Sequence, residues 1–170
     1  ASLNYSKTTE NIQLNLVSEG FMTVLDDPFI TANQEELPNG IAVLTKRNGS
    51  GAVVQGVNLE ANAAFNQKWI LNAGFTIQSA RYDEEEEIWS PETVTDSNTD
   101  SLITTSRLLR TPDYYGYFSL SYDPGLWVFN ASGVYTGPMD VPHVIDSDNE
   151  FTIIERTPSF MEFNLKITRE

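Results

Sequence analysis

The chain has no cysteine and a single histidine. No disulfide framework, thiolate metal site or thiol nucleophile can therefore form, and a zinc or copper site lacks a second imidazole or thiolate ligand. Basic residues are scarce: ten Lys and Arg against 24 Asp and Glu leave a formal charge of −14. Nucleic-acid binding would need a basic stripe and is excluded. Anionic lipid headgroups would repel such a chain unless its acids sit away from the bilayer. Long apolar runs are also missing. The longest, Ile41–Leu44 and Leu126–Phe129, fall far short of the roughly 20 residues that cross a membrane as a helix. Residues Ala1–Tyr5 show no basic region followed by an apolar stretch, so no signal peptide is expected. There is no phosphate-cradling glycine loop and no nucleophile elbow. Asp96–Asp100 resembles the start of a calcium loop, but Ser101 stands where glycine is required and no glutamate follows at the twelfth position. Glu60 and Glu162 share the polar parity of their segments, yet two carboxylates alone do not define a glycosidase. No catalytic residue, metal or cofactor is expected, and the chain is not read as an enzyme.

What the chain does have is apolar–polar alternation with a period of two, the mark of strands with two unlike faces. From Asn11 to Leu25 the even positions read Ile12, Leu14, Leu16, Ser18, Gly20, Met22 and Val24. Val57–Phe65, Trp69–Ile77, Tyr114–Tyr122, Trp127–Tyr135 and Met161–Ile167 repeat the pattern, each starting on the apolar parity. No segment has a helical period. The expectation is an all-β fold, an antiparallel up-and-down meander over residues 1–170 as one segment.

The connections alternate in length. Asn66–Lys68 and Asp123–Gly125 are short, the latter with Pro and Gly in adjacent turn positions. Asp83–Pro112 and Pro138–Glu150 are long and polar, and Asp26–Asn39 is a further polar stretch. They are expected to be loops, with Asp83–Glu87 either a cation-attracting site or a solvated loop tip. Short turns on one side and long loops on the other mark a barrel that spans an outer membrane. Asn48–Gly51 reads either as a hairpin turn or as a glycine bulge in one long strand from Ile41 to Phe65. The bulge is preferred, because a hairpin there would move Asp26–Asn39 to the short-turn side.

Two placements favour a bilayer over a protein interior. Phe65 and Trp69 flank one short turn, Tyr122 and Trp127 the other, all on the apolar parity. That is either an interfacial girdle or the edge of an ordinary core. The polar parity is rich in Asn, Ser, Thr, Gln and Tyr, with few charges: Glu19, Glu60, Glu162 and Lys166. A solvated sheet face usually carries more Lys and Glu, so a hydrated lumen fits better. The residues expected to face a ligand are Asn58, Glu60, Asn72, Tyr115, Tyr117 and Asn130, with His143 in a loop as a metal or ligand contact or simply an exposed residue.

Several segments resemble the C-terminal half of the barrel of TonB-dependent outer-membrane receptors, especially those of Bacteroidetes-like bacteria. They are Glu19–Thr23, Gly56–Glu60, Arg110–Tyr117, Tyr135–Met139 leading to Val141–His143, and Thr157–Phe160 running into Phe163–Lys166. The likeness covers nearly the whole chain, and its force lies in the order of the segments. It implies a location in the bacterial outer membrane and a share in importing a siderophore, cobalamin or oligosaccharide through a barrel of about 22 strands with a plugged lumen. Its partners would be outer-membrane lipid, the imported nutrient and, through an N-terminal part, TonB. The family's plug domain, its TonB-contacting segment and the usual terminal aromatic are not found within residues 1–170. A fragment of six to eight strands is therefore expected, one that self-associates to hide its apolar face. The rival is a soluble ligand- or carbohydrate-binding β-sandwich or small barrel whose core is the aromatic parity.

Overall fold

Alternation makes strands, but only pairing decides whether the apolar parities of different strands meet on one face. The computed structural model describes residues 1–36, 42–89, 103–146 and 151–169. Its elements are β1 (Ser2–Thr8), β2 (Ile12–Leu25), β3 (Phe29–Glu36), β4 (Ala42–Asn48), β5 (Ala52–Phe65), β6 (Trp69–Trp89), β7 (Ile103–Arg107), β8 (Tyr114–Tyr122), β9 (Trp127–Thr136), β10 (Asp140–Asp146), β11 (Phe151–Arg156) and β12 (Phe160–Arg169). The principal sheet runs β1-β2-β5-β6-β8-β9-β12, with β7 attached to β6, and every pairing is antiparallel. The expected all-β meander is what forms.

The register brings every apolar parity to the same face. Ile12, Phe65, Trp69, Tyr122, Phe129 and Ile167 stand in one row across the sheet. Tyr5, Leu16, Ala61, Ala73, Phe118, Gly133 and Phe163 make another. In the first row Trp69 stacks on Tyr122 at 4.1 Å between centroids, and Tyr122 on Phe129 at 6.3 Å. At the far end Tyr114 stacks on Tyr135 at 6.1 Å. From Trp69 to Ile77 the apolar band measures about 27 Å along the strand. Tilted by 35–45° it spans about 20 Å, close to the roughly 25 Å band of outer-membrane barrels.

This face has nothing packed on it. Among the described residues the buried hydrophobic side chains are Ile30 and Ala52 alone, and Leu165 is 72% exposed. The accessible surface is 11758 Å², whereas a compact monomer of this length exposes about 8,400 Å². Phe65, Trp69 and Phe129 stay 48%, 40% and 41% exposed. An aromatic core of the soluble-barrel kind is therefore not present among the described residues. The twist of the sheet gives each face a shallow groove. The apolar one, about 700 Å³, lies among Leu3, Leu16, Leu59, Phe75, Phe118 and Tyr135.

The short turns gather at one edge. Asn66 and Gln67 both sit at positive φ, as a tight hairpin in a right-twisted sheet requires, and Asp123 Oδ1 accepts the Gly125 amide at 2.8 Å. The Thr9–Asn11 connection between β1 and β2, not anticipated from the sequence, joins them, with the Asn66 amide donating to the Asn11 carbonyl.

The long connections differ from the expected loops. β3 pairs with β4 and β10 with β11, as two-stranded hairpins, while β6 runs on to Trp89 and β7 returns beside it. Asp83–Glu87 is therefore strand and not a loop tip. His143 is likewise in strand β10, paired with Ile153 of β11. β4 does not pair with β5. Asn48–Gly51 is a bend, with Gly51 at φ 102°, between β4 in the two-stranded sheet and β5 in the principal sheet, so the hairpin reading fails and the expected bulge in one long strand is instead a break between two sheets. Asp96–Asp100 and most of Asp146–Glu150 lie outside the described residues.

Candidate functional site

The polar face carries the groups able to meet a solute. Opposite residues give four successive rows. Glu19, Asn58, Thr76, Tyr115 and Thr136 form the one nearest the long hairpins, then Val17, Glu60, Gly74, Tyr117 and Val134. Asn15, Asn62, Asn72, Ser119, Ser132 and Asn164 follow, an uncharged row of amides and hydroxyls. The last contains Gln13, Ser121, Asn130 and Lys166.

Six of the seven expected ligand-facing residues thus share one face, Asn58 with Tyr115, Glu60 with Tyr117, Asn72 and Asn130 in the rows beyond. His143 is apart from them in the β10–β11 hairpin, its Nδ1 2.6 Å from Glu155 Oε2. Hydrogen bonds run between the strands: Thr76 Oγ1 donates to Asn58 Oδ1 at 2.9 Å, Ser121 Oγ to Asn130 Oδ1 at 2.7 Å, and Asn15 Nδ2 to Asn4 Oδ1 at 2.9 Å. These bonds fix the amides in place and leave their outer sides to water or ligand. A groove of about 310 Å³ crosses this face at Ser6, Gln13, Asn15, Asn62 and Asn72. Among the described residues no three metal-ligating side chains converge.

Tyr117 lies flat along the sheet over its cross-strand partner Gly74, whose missing Cβ makes the room. Phe118 does the same over Gly133 on the apolar face. A large ring beside glycine shields backbone that would otherwise be exposed and pins the register of the pair.

Two ionic clusters tie the long hairpins to the sheet, and neither is legible in sequence spacing. Glu86 is 3% exposed. Its carboxylate accepts the Ser50 amide at 2.6 Å and the Arg47 guanidinium at 3.0 Å, latching the β4–β5 bend onto β6. Burial disfavours its charge, but the Ser50 amide and hydroxyl and Arg47 outweigh that, and the carboxyl is held below the usual range. The second cluster is a ring of four charges. Arg107 meets Asp113 at 2.5 Å and Asp140 at 2.9 Å; Arg156 meets Asp113 at 3.0 Å and Asp140 at 3.3 Å. The Arg107 hydrogen bond is the main reason Asp113 titrates below an ordinary carboxylate, with Arg156 adding to it. The ring joins β7 to both strands of the β10–β11 hairpin. The partners of Glu86 lie 36 and 39 residues away in sequence, and Arg156 lies 43 from Asp113.

The chain folds as an antiparallel meander with short turns at one edge, long hairpins at the other and unlike faces, the fold of a segment of an outer-membrane receptor barrel. Similar solved structures are the copper transporter OprC (TM-score 0.58, 14% identity) and the siderophore receptor PirA from Acinetobacter baumannii (TM-score 0.60, 13% identity). Each match covers 99% of this chain but only 22% and 24% of the respective receptor. No protein family and no curated protein matches the sequence. At these identities the likeness is one of fold, and it carries no support for a Bacteroidetes-like source.

Proposed function

We propose that the chain forms part of the barrel wall and outside hairpins of a TonB-dependent receptor that imports a nutrient across the bacterial outer membrane. The observation that carries this reading is the register: it sorts seven strands into one continuous apolar face, left bare, and one continuous polar face. A bilayer on one side and a hydrated lumen on the other satisfy both. The similarity to a copper transporter and a siderophore receptor supports import over catalysis. The nutrient belongs to the siderophore, cobalamin or oligosaccharide class. Asn58, Glu60, Asn72, Tyr115, Tyr117 and Asn130 are the lumen contacts, and the β3–β4, β6–β7 and β10–β11 hairpins meet the nutrient first, with His143 on the last of them. TonB acts through parts of the receptor other than these strands.

The test is arginine placed on one face or the other of the full-length protein. Leu59→Arg, Phe75→Arg or Phe118→Arg puts a charge against lipid and should cost about 2–4 kcal/mol near the midplane. Asn72→Arg faces the lumen and should be tolerated. Folded barrel recovered from outer membranes, scored by heat-modifiable gel mobility, reads the difference. Equal loss at Phe75 and Asn72 would overturn the assignment of faces.

A further inference from the structure

A chain of net charge −14 ought to be driven away from the anionic headgroups that border its apolar face. The structure shows how charge is arranged there. Outside the acidic extension of β6 at Asp83–Glu87, the acids of the seven sheet strands, Glu19, Glu60 and Glu162, all fall on the polar parity. Between the short turns and the start of the acidic extension of β6, the charged residues on the apolar parity are Lys7, Arg81 and Arg169, all cationic. Lys7 pairs in register with Leu14, Arg81 with Val53, and Arg169 with Trp127. Lys7 and Arg169 stand towards the short turns and Arg81 towards the long hairpins.

None of the three has an ion-pair partner among the described residues, in a protein where carboxylates outnumber cations by more than two to one. Arg169 makes a contact with the Trp127 ring, 5.6 Å from its centroid, which leaves its charge uncompensated. Arg81 is directly opposite Arg107, an arrangement that destabilises a sheet unless an anion intervenes. Arg107 is already neutralised by Asp113 and Asp140, so Arg81 is the cation left over. Asp83, next outward on the same parity, is turned to the Gly51 backbone.

Spacing completes the match. Lys7 lies in the row of Leu71 and Arg169 in that of Trp127, ten to fourteen residue steps from Arg81 along the sheet. At about 3.3 Å per step, ten to fourteen steps along one strand tilted near 40° project to about 25–35 Å on the barrel axis. The apolar core of a bilayer has that thickness, about 25–30 Å.

We infer that Lys7, Arg81 and Arg169 are docking points for the phosphates of anionic membrane lipids, two towards the short turns and one towards the long hairpins, with the acyl chains on the apolar face between them. This rests on the reading of that face as lipid-facing. The segregation of charge lets an acidic protein sit among anionic lipids: up to the acidic extension of β6 the strand acids point to the polar face, and unpaired cations lie at both ends of the apolar one.

The experiment uses the full-length protein in neutral detergent micelles doped with phosphatidylglycerol or with zwitterionic phosphatidylcholine, following thermal unfolding by gel mobility. The wild type should be stabilised by phosphatidylglycerol over phosphatidylcholine. The preference should shrink by about five-fold in apparent lipid affinity for each cation removed in Lys7→Gln, Arg81→Gln and Arg169→Gln, and survive in Lys7→Arg. Lys46→Gln with Lys166→Gln, off the apolar face, should leave it unchanged. A triple variant that keeps the full preference, or a control pair that loses as much, would overturn the inference. So would inorganic phosphate alone reproducing the stabilisation, since acyl chains would then play no part. Failure of the parent reading looks different: a full-length protein that folds as a monodisperse species without any amphiphile has no lipid face at all.

Discussion

Glycine at a cross-strand position does different work depending on what its absent side chain would strike. A Cβ on Gly56 would run into the Ile77 carbonyl and come within 2.9 Å of the Gln78 Cα, both backbone of the neighbouring strand. A Cβ on Gly74 would instead strike the far end of the Tyr117 ring, which can swing aside. Gly56→Ala should therefore destabilise the sheet by about 1–3 kcal/mol, the usual range for overpacking. Gly74→Ala should cost less, and its cost should vanish in a Tyr117→Ala background. A double-mutant cycle on denaturant midpoints measures this; additive losses at Gly74 and Tyr117 would show that the ring does not rest on the glycine. The polar-face residues were legible from parity alone, because a strand's side chains alternate whatever its partners. The seating of Tyr117 on Gly74 was not, since it depends on a register that no single strand specifies.

Among the elements, the hairpins are where reading the chain as loops fell short. Polar, acidic composition suggested solvated connections for Asp26–Asn39, Asp83–Pro112 and Pro138–Glu150, yet their described parts pair as strands. Composition cannot distinguish the two, because a hairpin that stands clear of the principal sheet has solvent on both faces and loses its alternation. The latch and the ring of charges then fix these hairpins at their bases. Glu86 titrates below the usual carboxylate value of 4.5. A carboxyl depressed in the folded protein contributes stability that is complete above its unfolded pKa and lost as pH falls through the folded one. Protection of residues 46–51 against hydrogen exchange should accordingly be constant from pH 7 down to the ordinary carboxylate range and collapse below it. Glu86→Gln should remove about 1–3 kcal/mol of local protection at pH 7, the worth of hydrogen bonds to a charged acceptor. Protection that is indifferent to both changes would mean the bend is held by its backbone alone.

For the molecule as a whole, the bare apolar face and two open edges dominate. β1 and β12 each pair on one side only among the described residues, so each presents a row of unpaired amides and carbonyls. In water the 170-residue chain alone should self-associate, burying the face between copies or pairing edge to edge. Sedimentation velocity in buffer, then with detergent added above its critical concentration, reads this as large species that shrink to a detergent-bound monomer. A stable monomer in plain buffer would show that the chain conceals its apolar face by itself.

The amino-acid order by itself determined the period, the position of two of the short turns and the sorting of residues into two parities. Each is a local property, set by side-chain alternation and by the φ that a given turn demands. Only the tertiary structure decided that the parities of all seven strands coincide, that Glu86 is buried under a distant bend, and that Lys7, Arg81 and Arg169 share the apolar face. Those depend on register between strands far apart in sequence, where sliding one strand by a single residue would have put Lys7 or Arg81 on the opposite face.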